Sequence, residues 1–541
     1  MRKPDVAYVN GKVYTVDPNF SVATAFCLSD DRFVAVGTDE EIRALCTPET
    51  RVVDLHGQVV LPGLIDSHLH INNTGAMKLE LNVVAKQRRE IVDMVAQAYQ
   101  TIRPGEWIVG RGWLNDEWPD SSFPTKEELD AVAPDVPVYL KRACGHAAWV
   151  NSKAFEVVGV TDATPDPVGG EYLRKPDGTL LGVVTDQAQD PFNKAIPPYN
   201  KEQLQKIVLL AQESFFAAGL TTVHDAGTAE EWIQAWEELY QRRELKLRIY
   251  ASMRVIGRPS YEELLHGSME YFKKGLRIGM YGNRLTARAY KISGDGSLGA
   301  RSAWMLDDYD DRPGHKGNGK WTDEQLYNVL YQARRAGFQI WYHAIGDAAN
   351  RQCLNTYERL LRELPDPDAR LRIEHAQIIA PQDIPRFKKL GVIPTHQTVF
   401  LRTDKKVADT RLGPQRIKGA YAWRTLIDQG NVVPNGTDSP VESYNPFLSM
   451  YCAVTRMDER GQPEGGWYPQ EAMTREEALR SYTVWGAYAG FEEHLKGSIE
   501  AGKLADFVVI DRDYLACPAE EIKDIQVLQT VVGGETVYQR G

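Results

Sequence analysis

The stretch GLIDSHLH, residues 63–70, is an apolar run that ends in two histidines separated by one residue. Read as a strand, it projects His68 and His70 to the same side, because successive side chains alternate between the two faces. Seven further runs share its texture, apolar through the middle and small or polar at the end: TTVHDAG (221–227), LRIYASMR (247–254), ARAYKISGD (287–295), FQIWYHAIGD (338–347), LRIEHAQ (371–377), GVIPTHQ (391–397) and NVVPNGTDS (431–439). Between most of them lie helical stretches such as TDEQLYNVLYQARRAG (322–337) and PQDIPRFKKLG (381–391), charged on one face and stopped by glycine. Repeated strand–helix units imply a parallel sheet, and eight of them imply an α/β fold closed as a (β/α)8 TIM-like barrel over residues 63–489. A doubly wound open sheet is the competing arrangement, but no GxGxxG follows an early strand.

Outside the barrel the texture changes. Residues 1–62 carry short runs with turn signals between them, VAYVNGKVYTV, TAFCLSDDRFVAVG and RVVDLHGQVVLPG, and residues 490–541 return to the same pattern. Neither end is large enough to bury a core alone, so the two are expected to pair into one composite β-sandwich. The interval between the first and second barrel strands is far longer than one crossover helix needs, and holds its own strand-like runs EWIVGRGW and VPVYLKR. Residues 75–200 are therefore expected to form an α+β insertion at the barrel mouth.

The 541 residues are 43% hydrophobic and 25% charged, enough for a sizeable core, and carry a formal charge of −11. That balance argues against a nucleic-acid partner, which calls for a basic face. The six cysteines are scattered with no CxxC pair, which reads as reduced thiols and not as a disulfide framework or a sulfur-ligated metal site. The N-terminus lacks the apolar core of a signal peptide and no run approaches a membrane span, so a cytoplasmic protein with no membrane partner is expected.

Barrel active sites lie at the C-terminal ends of the strands. There the sequence places His68, His70, Lys291, His343, His375 and Asp438. Each residue alone has a plainer reading, such as a hydrogen-bonded loop histidine or a salt-bridged lysine. Four histidines and a carboxylate at strand ends together point to a metal site, with donors that suit zinc and also manganese, iron or nickel.

LPGLIDSHLH after a β-rich N-terminus, and the return GSIEAGKLADFVVID, resemble the amidohydrolase superfamily. YKISGDGSLGARSA, HAIGD, RIEHAQ and NGTDSPV resemble its family 3 branch, which includes N-substituted formamide deformylase-like proteins. The resemblance runs over essentially the whole chain, including the PTKEELDAVAPDVPVYLKRACGHAAWVNSKAF and GGEYLRKPDGTLLGVV segments. It implies that His68, His70 and Asp438 bind a buried metal ion and that His343 and His375 bind a second. It also implies that Lys291, carboxylated by CO2, bridges the two. A free ammonium has no acceptor and cannot ligate a cation, whereas a carbamate offers two oxygens. If Lys291 instead stays an amine, a one-metal site of His68, His70, His343 and Asp438 is expected.

The activity so implied is hydrolysis of a C–N bond in an amide, formamide or cyclic amide by attack of metal-bound hydroxide, with Asp438 as general base and then acid. A one-metal deaminase of a heterocycle is the enzymatic alternative, and a non-catalytic binding or regulatory protein on the same fold is the alternative of another class. Trp113, His146, Arg301, Trp304 and Tyr444 are candidates for the substrate pocket, although tryptophan more often packs a core and Arg301 could either hold a carboxylate or anchor its own loop. Glu117, Trp118, Trp149 and Asn151 share the segments of the first two. His224 is expected to support the ligands without joining them, and His315 and His396 to be structural. The partner implied is a small amide-type substrate, with a homodimer as the expected assembly.

Overall fold

Seven of the eight expected runs form regular strands: β1 (Leu64–Leu69), β2 (Leu220–Thr228), β3 (Arg248–Met253), β4 (Leu285–Ser293), β5 (Gln339–Ala344), β6 (Arg372–His375) and β7 (Ile393–Thr395). This is a computed structural model. It describes residues 3–541 except Pro104, Ala143, Cys144, His146, Val168 and Arg258, and omits the Glu117 side chain. The seven strands are hydrogen-bonded in chain order and all parallel. They are buried almost throughout, as a sheet covered on both faces must be. The register aligns Ser293 with His343, His343 with Glu374 and Glu374 with Thr395, so one polar row crosses the C-terminal ends of β4 to β7.

The eighth run, 431–439, is not a regular strand. Pro434 has no N–H to give a ladder, and Asp438 turns to φ 55°. It still reaches both edges of the sheet. His396 N–H donates to Pro434 O at 3.0 Å and Gly436 N–H to His396 O at 2.9 Å, while Ser67 N–H donates to Asn435 O at 2.9 Å and Asp438 N–H to His68 O at 2.6 Å. Main-chain bonds thus close the ring between β7 and β1 without a full ladder. The chain is therefore α/β, built on a parallel barrel sheet.

Helices fill the crossovers. In α1 (Asp323–Arg335), Thr322 caps the N-terminus by accepting from Gln325 N–H, and Leu326, Val329, Leu330 and Ala333 form the buried stripe. In α2 (Asp347–Glu363) the buried face includes Cys353, Leu354, Tyr357 and Leu360.

The chain divides into two compact units, Met1–Ile71 with Gln212–Gly541, and Asn72–Ala211. In the first, the terminal segments make two sheets beside the barrel strands: one of four strands between Val6 and Asp54, and one of six that pairs Phe507–Ile510 antiparallel with Val59–Pro62. Tyr8, Phe26 and Phe33 from the N-terminal strands pack with Phe507, Val509 and Val531 in one apolar cluster. Arg248, at the start of β3, forks onto Asp506 at 2.6 and 2.9 Å and fastens the C-terminal segment to the barrel. The second unit has its own six-stranded mixed sheet and its own core, in which Trp113, Trp118, Trp149, Leu140 and Val183 meet.

Candidate metal centre

The close approach of the eighth run to β1 brings the first group of side chains together. A Cβ at Gly436 would stand 2.5 Å from His68 N, so only glycine lets the two backbones lie this close. His70 N–H donates to Ser439 O at 2.8 Å, and Thr437 Oγ1 donates to Asp66 Oδ2 at 2.6 Å. Asp438 Oδ1 then lies 3.5 Å from His68 Nε2 and 3.1 Å from His70 Nε2. Ligand atoms of His68, His375 and Asp438 all fall within 4.8 Å of one another, and all three residues are buried. The ring of His375 packs against His68 at 4.9 Å between centroids and edge-on to His343 at 4.4 Å. His375 and Asp438 both hold positive φ, 74° and 55°. Such backbone strain in non-glycine residues gathers where a site requires it.

Neighbours orient these groups. Glu374 accepts from His68 Nδ1, and Arg372 holds Glu374 in a buried fork at 2.7 and 3.1 Å. Arg372 also contacts His224 Nδ1 at 3.0 Å, donates to Ser67 O at 2.7 Å and stacks on Trp341. Gln397 Oε1 meets His375 Nδ1 at 2.6 Å, and Asp295 Oδ1 stands 3.3 Å from His343 Nε2. A carboxylate or amide on the far nitrogen sets the tautomer of an imidazole and aims its other nitrogen inward. Arg372, Glu374, Gln397 and Asp295 are the supporting residues the sequence reading passed over. The first two stand at alternate positions of RIEHAQ, so the alternation that singled out His68 and His70 would have found them.

Charge states follow from burial and neighbours. Burial, then the fields of His343 and His68, push the His375 imidazole well below its ordinary range, and burial lowers His343 as well. Both stay neutral, the form that ligates metal. For Glu374, burial works against charge, but Arg372 and His68 hold the carboxylate far below its usual range. Burial opposes charge at Asp438 too, and the approach of His68 and His70 keeps it well below the carboxylate range. Lys291 is only 3% exposed, and burial brings its amine down to about 8. Among the described residues it has no hydrogen bond or ion pair, although the fields of Glu374 and Asp438 reach it.

The neutral imidazoles of His343 and His375, the ionised Asp438 carboxylate that His68 and His70 approach, and a buried Lys291 amine with no hydrogen bond among the described residues are a donor set that fits divalent metal. The amidohydrolase family model matches residues 51–538.

The chain belongs to the amidohydrolase family.

It is 32% identical to the protein LONG AFTER FAR-RED 3 of Arabidopsis thaliana, over 99% of this chain and 91% of that one. It is 28% identical to an N-substituted formamide deformylase of Arthrobacter pascens, over 99% of this chain and 98% of that one. Among solved structures it resembles an uncharacterized metal-dependent hydrolase of Pyrococcus horikoshii, with a TM-score of 0.78, 27% identity and coverage of 95% and 99%. Members of this family are hydrolases, and a divalent metal is implied.

Within this amidohydrolase the pocket candidates separate. Trp113 is wholly buried, donates to Leu140 O at 2.7 Å and stacks with Trp118, so it packs the core of the Asn72–Ala211 unit. Trp149 shares that core, and Asn151 is a buried helix cap. Arg301 is engaged by Asp311 through Nε at 3.1 Å and Nη2 at 2.6 Å, which is the loop-anchoring role. Trp304 is half-buried and its backbone N–H donates to Asp295 Oδ2 at 2.9 Å, beside the His343 support. Tyr444 is half-buried and packs edge-on to Phe215. His146 lies outside the described residues. His224 accepts from the Arg372 guanidinium at 3.0 Å, and His315 Nε2 donates to its own loop at Arg301 O at 2.7 Å.

Proposed function

We propose that this amidohydrolase is a metal-dependent enzyme that hydrolyses the C–N bond of a small amide, formamide or cyclic amide. The observation that carries the reading is the meeting of His68, His70, His375 and Asp438 at the C-terminal ends of the barrel strands, with unpartnered Lys291 within their electrostatic reach. His68, His70 and Asp438 would hold one divalent ion, zinc by preference. His343 and His375 would hold a second, with a carboxylated Lys291 shared between them. Bound ions supply polarisation of the scissile carbonyl and a more acidic water.

The chain's own residues do the rest. The neutral fraction of the Lys291 amine can add CO2, forming the N–C bond and releasing one proton. Asp438, ionised at neutral pH, accepts the proton of the attacking water at its buried carboxylate and returns it to the leaving nitrogen. Glu374 and Gln397 keep the far nitrogens of His68 and His375 engaged, so neither ring turns away.

A second reading, a one-metal deaminase of a heterocycle, has a specific observation in its favour: His68, His375 and Asp438 alone make one tight group. Metal content separates the two, about two ions per chain for the first reading and one for the second. Incubating metal-loaded protein with N-formyl, N-acyl and cyclic amides should give hydrolysis that chelation abolishes. No turnover across that panel, with full metal content, would overturn the hydrolase reading in favour of a binding protein.

A further inference from the structure

Arg254 follows β3 directly and is held by its backbone: its N–H donates to Thr228 O at 2.9 Å, and its carbonyl accepts from Tyr271 Oη at 3.2 Å. The side chain passes over Gly227, where a Cβ would stand 2.8 Å from Arg254 Cδ, so the absence of a side chain there makes room for it. It is half-buried, yet among the described residues its guanidinium has no hydrogen bond and no ion pair. An arginine taken this far from water is normally given a carboxylate or a carbonyl.

Arg254 lines a cavity of about 720 Å³ together with Lys291 and Lys320, and no aspartate or glutamate is among the lining residues. Leu264, Ile292 and Trp321 supply apolar wall in the same cavity. The volume suits a small molecule. In a chain of net charge −11, a cavity where, beside the proposed Lys291 bridge, the charged side chains among the described lining residues are Arg254 and Lys320 is a local reversal of sign. Arg254 also lies within electrostatic reach of Lys291 and Asp438, so the anion it would take sits beside the proposed centre.

We propose that Arg254 is the specificity residue of this amidohydrolase, and that it holds a carboxylate on the substrate while the apolar wall takes the substrate's hydrocarbon body. The substrate class is then an amide that carries a carboxylate. Water adds to the carbonyl carbon and the C–N bond breaks; the acyl part leaves as a carboxylic acid and the nitrogen takes up the proton as an amine. The guanidinium matches a carboxylate through two parallel N–H donors, whereas lysine offers a point charge. The proposal rests on the hydrolase reading for its reaction but not for its binding.

The test compares N-formyl-leucine with N-formyl-isopentylamine, the same skeleton without the carboxylate, on metal-loaded protein. Wild type should prefer the carboxylate form by tenfold or more in kcat/KM, roughly the effect of one charge-assisted contact. Arg254→Gln should remove most of that preference, leaving roughly twofold or less, chiefly through KM, with Arg254→Lys intermediate. Arg301→Gln, whose guanidinium already has Asp311, should keep the wild-type preference. Equal preference in wild type and Arg254→Gln overturns the assignment. Calorimetric binding of N-acetyl-leucine to both proteins separates the failures. If neither substrate turns over but binding still depends on Arg254, the hydrolase reading falls and the carboxylate site stands. If binding is the same with and without the guanidinium, the site itself falls.

Discussion

Arg248 and Arg254 flank the same strand, β3, and meet opposite surroundings. Arg248, at the N-terminal end, is buried, paired twice with Asp506 and bonded to the carbonyls of Gly282 and Asn283 at 3.2 and 3.1 Å. Arg254, past the C-terminal end, faces a cavity with no partner for its charge among the described residues. Lys291 repeats the pattern at the end of β4. At the N-terminal end of β3 the cation is completed internally, whereas past its C-terminal end Arg254, like Lys291 on β4, has no hydrogen bond or ion pair among the described residues. Packing at one end and chemistry at the other is the division of labour that a parallel barrel permits, since its strand ends converge on loops at one face.

Perturbing each end should therefore separate activity from stability. The largest effect is expected at the C-terminal end. Asp438→Asn should lower kcat by roughly a thousandfold by removing the proton acceptor, with a far smaller loss of bound metal. A variant that keeps turnover would show that Asp438 is not the base. At the N-terminal end, Arg248→Met leaves Asp506 buried without its partner and should cost about 3–5 kcal/mol in denaturant unfolding, while kcat/KM per folded molecule stays near wild type. Loss of activity without loss of stability there would break the comparison.

Lys291 allows a test by pH. In metal-free protein its folded-state value is about 8 against 10.5 for the free side chain. Below pH 8 the amine is protonated in both states and its burial is a cost. Between those two values the unfolded chain binds the extra proton, so stability should rise with pH across that window, by up to about 3 kcal/mol. Lys291→Met should remove this rise, read as the difference between the two unfolding profiles. A wild-type profile parallel to the variant's would mean that Lys291 is solvated or paired. The smallest effect belongs to Arg301→Gln, an exposed pair with Asp311, where the melting temperature and KM should match wild type within scatter.

Much of the centre was legible in the sequence because its signal is local. A strand that ends in His-x-His needs no partner to be read: alternation alone puts His68 and His70 on one side. The same holds for Lys291, a cation at the end of an apolar run. The eighth run was legible as an element but not as to type, since Pro434 and the turn at Asp438 replace a ladder with a few main-chain bonds to β7 and β1. Trp113 could not be placed from its neighbours in GRGWLNDEW, because its contacts are Leu140, Trp118 and the rest of a core assembled from separate strands.

By itself, the sequence determined the parallel strand–helix order, the residues offered at the strand ends, and the family, which implies a divalent metal. The strand order and the offered residues follow from periodicity and side-chain type, and the family from the resemblance of motifs such as LPGLIDSHLH and RIEHAQ, all read over short stretches. Only the tertiary structure decided which charges are satisfied. Asp506 reaches Arg248 across 258 residues and Glu374 reaches His68 across 306, while Asp311 takes the guanidinium of Arg301 and nothing among the described residues takes that of Arg254. Pairing of a buried charge depends on what the fold brings within about 4 Å of it, and that distance is not written in any single stretch of the chain.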